Sequence, residues 1–121
     1  MAGRLLSIID DDEDVRQSLL ALVESVGYSA RVFESADAFL KSDALATCQC
    51  IISDVQMAGL SGVELAERLA ISHSQIPIIL ISAYAKGDIL STIRNPAVVA
   101  VLPKPLQMNA LIDEISRLLM D

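Results

Sequence analysis

Five short apolar runs alternate along this chain with five segments of helical spacing, and that alternation is the pattern of a parallel sheet wrapped by helices. The runs are Leu5 to Ile9, Ala30 to Phe33, Cys50 to Ser53, Ile76 to Ser82 and Val98 to Leu102. Most are continuously apolar rather than alternating, as strands covered on both faces should be. A first helix is predicted from about Asp14, with Val15, Leu19, Leu22, Val23 and Val26 on one stripe and Gly27 as its stop. Ser35 is placed to cap a second helix carrying Phe39 and Leu40, and Ser61 with Glu64 forms an S-x-x-E capping box for a third. The fourth segment, Lys86 to Asn95, has weaker periodicity and is ended by Pro96. The last helix, from about Met108 to Met120, turns Leu111, Ile112, Ile115, Leu118 and Leu119 inward.

A chain of 121 residues that is 53% hydrophobic is expected to make one domain, residues 1–121, either alone or as part of something longer. Its apolar runs are far shorter than the roughly 20 residues of a membrane helix, and the N-terminus lacks a signal-peptide pattern, so the expected location is the cytoplasm. Nine basic against sixteen acidic residues give a net charge of −7, the wrong sign for direct binding of nucleic acid. Cys48 and Cys50 are too close for an easy disulfide and lack the further ligands of a zinc site, so they read as buried thiols. His73, in the polar stretch Ser72 to Gln75, reads as a solvated loop residue.

In a doubly wound sheet the ligand site lies at the C-terminal ends of the strands. There the chain places Asp10-Asp11-Asp12 after the first run, Asp54 after the third, Ser82 after the fourth and Lys104 just beyond the fifth. Carboxylates converging on one edge repel each other unless a cation sits among them, and hard oxygen ligands suit Mg²⁺. With a metal bound, a carboxylate can attack phosphorus while a lysine neutralises the phosphoryl oxygens, which gives Asp54, Ser82 and Lys104 the roles of nucleophile, hydroxyl and cation. Plainer readings exist for each group. An acidic run after a strand also serves as a helix N-cap, and a single lysine or strand-end serine is commonly just solvated or structural. An EF-hand is excluded, since the sixth position counted from Asp10 is Val15 rather than Gly and the twelfth is Ala21 rather than Glu.

The segments IIDDDEDVRQSL, SDVQMAGLSGVEL, IPIILISA and LPKP, in that order and at those separations, resemble the signature blocks of response-regulator receiver domains over essentially the whole chain. The resemblance implies a flavodoxin- or CheY-like α/β fold, a five-stranded parallel sheet in the order 2-1-3-4-5 with five helices on its two faces. It implies that Asp10 and Asp11 hold Mg²⁺, Asp11 directly or nearly so and Asp10 partly through water. Asp54 would be both phosphoacceptor and metal ligand, and Gln56 would offer the metal its backbone carbonyl. Ser82 would hydrogen-bond the phosphoryl group, Lys104 would be its ion-pair partner, and the Lys104-Pro105 bond would be cis. The implied partner is a sensor histidine kinase, and the implied role is a signalling switch with self-catalysed phosphotransfer and slow autodephosphorylation rather than an enzyme. SADAFL and SGVEL are further similar to FixJ-like, LuxR-type transcription factors, which implies a DNA-binding output domain or homodimerisation on phosphorylation.

Most departures from the family pattern fall on the face built from the fourth helix, fifth strand and fifth helix, the one receivers commonly use to signal. Ala58 replaces a proline, Val101 an aromatic residue, Pro96-Ala97 an Ala-Gly pair and Leu106 a phenylalanine. Two rival functions follow from the same residues. Asp10-x-Asp12 after a strand also matches haloacid-dehalogenase-like phosphohydrolases, although that reading leaves Asp54 unexplained. A pseudo-receiver would keep the fold without phosphorylation, against which the complete set of acidic, hydroxyl and lysine residues argues.

Overall fold

The computed structural model describes residues 5–57, 59–72, 75–83 and 95–119. Its strands are β1 (Leu5–Ile9), β2 (Ser29–Phe33), β3 (Cys50–Asp54), β4 (Ile78–Ser82) and β5 (Val98–Pro103). All pair in parallel, in the order β2-β1-β3-β4-β5. The described helices are α1 (Glu13–Ser25), α2 (Ala36–Leu40), α3 (Ala44–Thr47), α4 (Gly62–Ile71) and α5 (Met108–Leu119). The helix expected over 86–95 falls, apart from Asn95, outside the described residues, as do Tyr84, His73 and Ala58.

The period of two along the strands sorts the core into two layers. Leu6, Ile8, Cys50, Ile52, Ile79 and Ile81 face Leu19 and Val23 of α1 and Leu111, Ile115 and Leu119 of α5. Ile9, Ile51, Ile78 and Leu80 face Phe39 of α2, Ala44 of α3 and Leu65 and Leu69 of α4. Each fully buried Ile or Leu contributes roughly 1.5–3 kcal/mol, so the central strands are what the hydrophobic effect fixes first. Cys48 and Cys50 are free thiols belonging to opposite layers, and burial pushes the Cys50 thiol up to about 12. They are core residues.

Several boundaries differ from expectation for identifiable reasons. The fourth run begins at Ile76, but Pro77 has no N–H to donate, and the β4 ladder starts at Ile78. Val26, expected on the inward stripe, is the residue after α1 and stands 40% exposed. Ile112, likewise expected inward, is only half-buried. In β5 the register slips between Ile78 and Ile79 of β4, so that Ile78 pairs with Val98 and Ile79 with Ala100. This bulge puts Val98 and Ala100 in opposite layers and leaves Val101 half-buried against the α2–α4 side.

The start of α4 brings a helix end onto the backbone of β3. Ser61 accepts from the Glu64 N–H at 3.1 Å while the Glu64 carboxylate accepts from the Ser61 N–H at 2.9 Å, and that reciprocal bonding holds Glu64 below the usual carboxylate range. The Gly62 N–H then donates to the Val55 carbonyl at 3.1 Å. A Cβ on Gly62 would stand 2.5 Å from the Asp54 carbonyl oxygen and 3.0 Å from the Leu80 side chain. In an open helix, Gly to Ala would stabilise by about 1 kcal/mol, so the substitution sets propensity against overlap. The overlap is with backbone and wins. Gly62→Ala is expected to destabilise the domain by roughly 1–3 kcal/mol in a denaturant titration, and a variant as stable as the parent would show that α4 does not rest on β3.

Candidate functional site

Register brings the candidate residues together. Ile9 is level with Ser53, Asp54 with Ile81, and Ser82 with Pro103. The residues that follow on each strand therefore meet at one edge, and the ladder is carried one step past the strands by Asp10 N–H to Phe33 C=O at 3.1 Å and Lys104 N–H to Ser82 C=O at 3.1 Å. Asp10, Asp11 and Asp54 each offer a carboxylate oxygen, all within 4.8 Å of one another, with Asp10 and Asp54 buried and Asp11 exposed. Lys104 reaches back from beyond β5, its Nζ 3.2 Å from Asp54 Oδ2. The Lys104-Pro105 peptide is cis, as expected.

The three consecutive aspartates divide the work. Asp12 caps α1, its carboxylate accepting from the N–H groups of Asp14 at 2.9 Å and Val15 at 3.3 Å. Glu13 and Asp14 in the first turn add favourable charge at the helix N-terminus. The N-cap reading is met by Asp12, while Asp10 and Asp11 lie with Asp54 in the acidic group on which the metal reading rests. With Asp12 committed to the helix, the D-x-D arrangement of a haloacid dehalogenase loses its second carboxylate.

Asp10 is held by the Asp12 N–H, which donates to its Oδ1 at 2.9 Å, and its own carbonyl accepts from Arg16 Nη1 at 2.8 Å. Burial raises the Asp10 carboxyl above its ordinary value of 3.8, the Asp12 N–H pulls it back, and the charge of Asp54 raises it further. Asp54 is nearly sealed from solvent; its Oδ2 is paired with Lys104, while its Oδ1 has no hydrogen-bond partner among the described residues. A buried carboxylate oxygen without a partner is costly. An atom in that condition, facing two more carboxylates, is what a divalent cation would satisfy, and the donor set is the hard oxygen type that Mg²⁺ prefers.

Two features had no local signal. The Arg16 guanidinium braces the turn from β1 to α1, and the Gln56 side chain, considered above only for its carbonyl, reaches the Ser82 hydroxyl. That hydroxyl is completely buried at the end of β4.

The chain matches the family described as response regulator receiver domain over residues 6–116. It belongs to that family. The transcriptional regulatory protein TdiR of Thauera aromatica is 33% identical over 90% of this chain and 48% of its own length. The transcriptional regulatory protein FixJ of Bradyrhizobium diazoefficiens is 33% identical over 83% of this chain and 49% of its own length. The solved response regulator StyR aligns with a TM-score of 0.85 and 36% identity over 98% of this chain and 60% of its own. This receiver domain therefore spans about half the length of the curated relatives it matches. No described helix is long and apolar enough to cross a membrane.

The raised carboxyl of Asp10 fixes a pH dependence for this receiver without metal. Between 3.8 and the raised value the folded state holds the proton more tightly than the unfolded chain, so stability falls as pH rises through that window and the penalty is fully present above it. Asp10→Asn keeps an oxygen for the Asp12 N–H and removes the charge. In the presence of a chelator it is expected to melt higher than the parent at pH 7, with the difference shrinking as pH falls toward 3.8. A constant difference across that range would show that the charge of Asp10 is not what the fold resists.

Proposed function

We propose that residues 1–121 form one receiver domain that accepts a phosphoryl group on Asp54 from a sensor histidine kinase, with Mg²⁺ held by Asp10, Asp11, Asp54 and the backbone carbonyl of Gln56. The observation that carries this reading is the state of Asp54: buried, tied to Lys104 through one oxygen and without a partner among the described residues on the other, beside two further carboxylates. When bound, Mg²⁺ supplies positive charge against the phosphoryl oxygens. The Asp54 carboxylate forms the new O–P bond as the N–P bond of the phosphohistidine breaks and its electron pair returns to the imidazole nitrogen. Lys104 neutralises part of the charge on the incoming group, and Asp10 and Asp11 are the residues that would hold the cation beside it.

The Ser82 hydroxyl then bonds the phosphoryl group, and its movement is the start of the conformational switch. At Val101 there is no ring to turn, and a β-branched side chain has few χ1 choices, so the change passes through the backbone that follows Ser82. The relatives are transcriptional regulators of about twice this length, which supports a DNA-binding output domain or phosphorylation-driven homodimerisation as the consequence in a cytoplasmic two-component system. The net charge of −7 supports leaving DNA contact to another domain.

Incubation with a small-molecule phosphodonor such as acetyl phosphate, read by intact-mass spectrometry, is expected to add one phosphoryl group to the parent with Mg²⁺ and none with a chelator. Asp54→Asn should stay unlabelled, and Lys104→Met should label about 100-fold more slowly, the scale of losing one preorganised charge at a reacting group. Labelling of Asp54→Asn at the parent rate would overturn the assignment.

A further inference from the structure

Ser82 and Gln56 lie 26 residues apart in sequence and meet beside Asp54. The Ser82 Oγ is 3.3 Å from Gln56 Nε2 and 3.4 Å from Gln56 Oε1, so the contact survives whichever way the amide is turned. Gln56 is otherwise an exposed residue in the turn after β3, two positions beyond Asp54. Its carboxamide reaches inward to a hydroxyl that is itself fully buried. Meanwhile Asp54 Oδ1 has no partner among the described residues, so the Ser82 hydroxyl touches the glutamine without bonding that oxygen.

We propose that the Gln56 carboxamide is a positioning residue for the switch: it holds the Ser82 hydroxyl in the resting arrangement, and the group on Asp54 must win the hydroxyl from it. This rests on the reading of Asp54 as phosphoacceptor. The magnitudes make Gln56 a latch and not a lock. Hydroxyl hydrogen bonds are best near 2.7–3.0 Å, and both Gln56 contacts are longer. A hydrogen bond to an ionised phosphoryl oxygen is roughly twice as strong as a neutral one, so the exchange favours the phosphorylated state. The glutamine sets how much of that advantage is used up in releasing the hydroxyl. A neutral bond of this kind shifts an equilibrium by about two- to tenfold.

Gln56→Met tests this, because methionine keeps the length of the side chain and the backbone carbonyl while removing both polar ends. Two measurements are made on the whole domain. Without ligand, NMR should show Gln56→Met displacing the Ser82 side-chain resonances and Ser82→Ala displacing those of the Gln56 amide. With saturating Mg²⁺, titration with beryllofluoride followed by ¹⁹F NMR should give Gln56→Met an apparent affinity about two- to tenfold tighter than the parent. In a Ser82→Ala background the same substitution should change nothing, since the hydroxyl it releases is gone. Gln56→Ala should behave like Gln56→Met, which guards against an effect of the thioether. Equal tightening with and without Ser82 would show that Gln56 acts on the site by another route, and unchanged or weaker binding, or silent resonances in the free protein, would overturn the latch. Failure of the parent itself to bind beryllofluoride would instead bring down the phosphoacceptor reading.

Discussion

Carboxylates held together at one edge of a sheet repel one another, and the rest of this domain is arranged around keeping them there. Asp10 and Asp54 sit at the ends of adjacent central strands, where the ladder leaves them no room to separate. Both are buried, so solvent screening is weak. Lys104 offsets part of the repulsion by coming back across the sheet to Asp54. Mutual repulsion at the edge is held in check by the burial of Ile8, Ile9, Ile51, Ile52, Ile79 and Leu80 beneath it, which anchors the three central strands. A rigid core supporting an unfavourable charge cluster is the usual relation between a scaffold and a functional site, in which local stability is given up for chemistry.

How the backbone is braced follows from that constraint. The turns that leave β1 and β3 are tied by side-chain bonds close to the carboxylates. Asp12 caps α1, Arg16 holds the Asp10 carbonyl, and the Ser61–Glu64 box fixes the first turn of α4 against the end of β3. Gly62 is required there because the Asp54 carbonyl occupies the place of a side chain. These devices fix where Asp10 and Asp54 point without adding further charge to the cluster itself.

Much of this was legible in the sequence because it is local or periodic. The continuous apolar runs located β1, β3 and β4, the capping residues located the starts of α2 and α4, and the polar residues at the ends of the first, third and fourth runs and beyond the fifth are the candidate residues that the sheet edge gathers. What escaped was either too short or too distant. Helix α3, Ala44–Thr47, is a single turn with no repeat to detect, and the β5 bulge depends on its partner strand. The Gln56–Ser82 contact depends on tertiary register alone. The acidic run was ambiguous for a physical reason: capping a helix and binding a cation both call for carboxylates after a strand, and only the geometry divides Asp12 from Asp10 and Asp11.

On the proposed reading, Asp10, Asp11 and Asp54 form one divalent-cation site, and the fold tolerates their repulsion for that purpose. The most direct measurement is anomalous diffraction from crystals of the domain soaked in Mn²⁺, a hard cation that takes the same oxygen ligands as Mg²⁺. One strong anomalous peak is expected among the three carboxylates, within about 2–2.3 Å of an oxygen of Asp11 and of Asp54, with loss of that peak in Asp11→Asn. A peak elsewhere, or none at a Mn²⁺ concentration that saturates ordinary surface carboxylates, would contradict it.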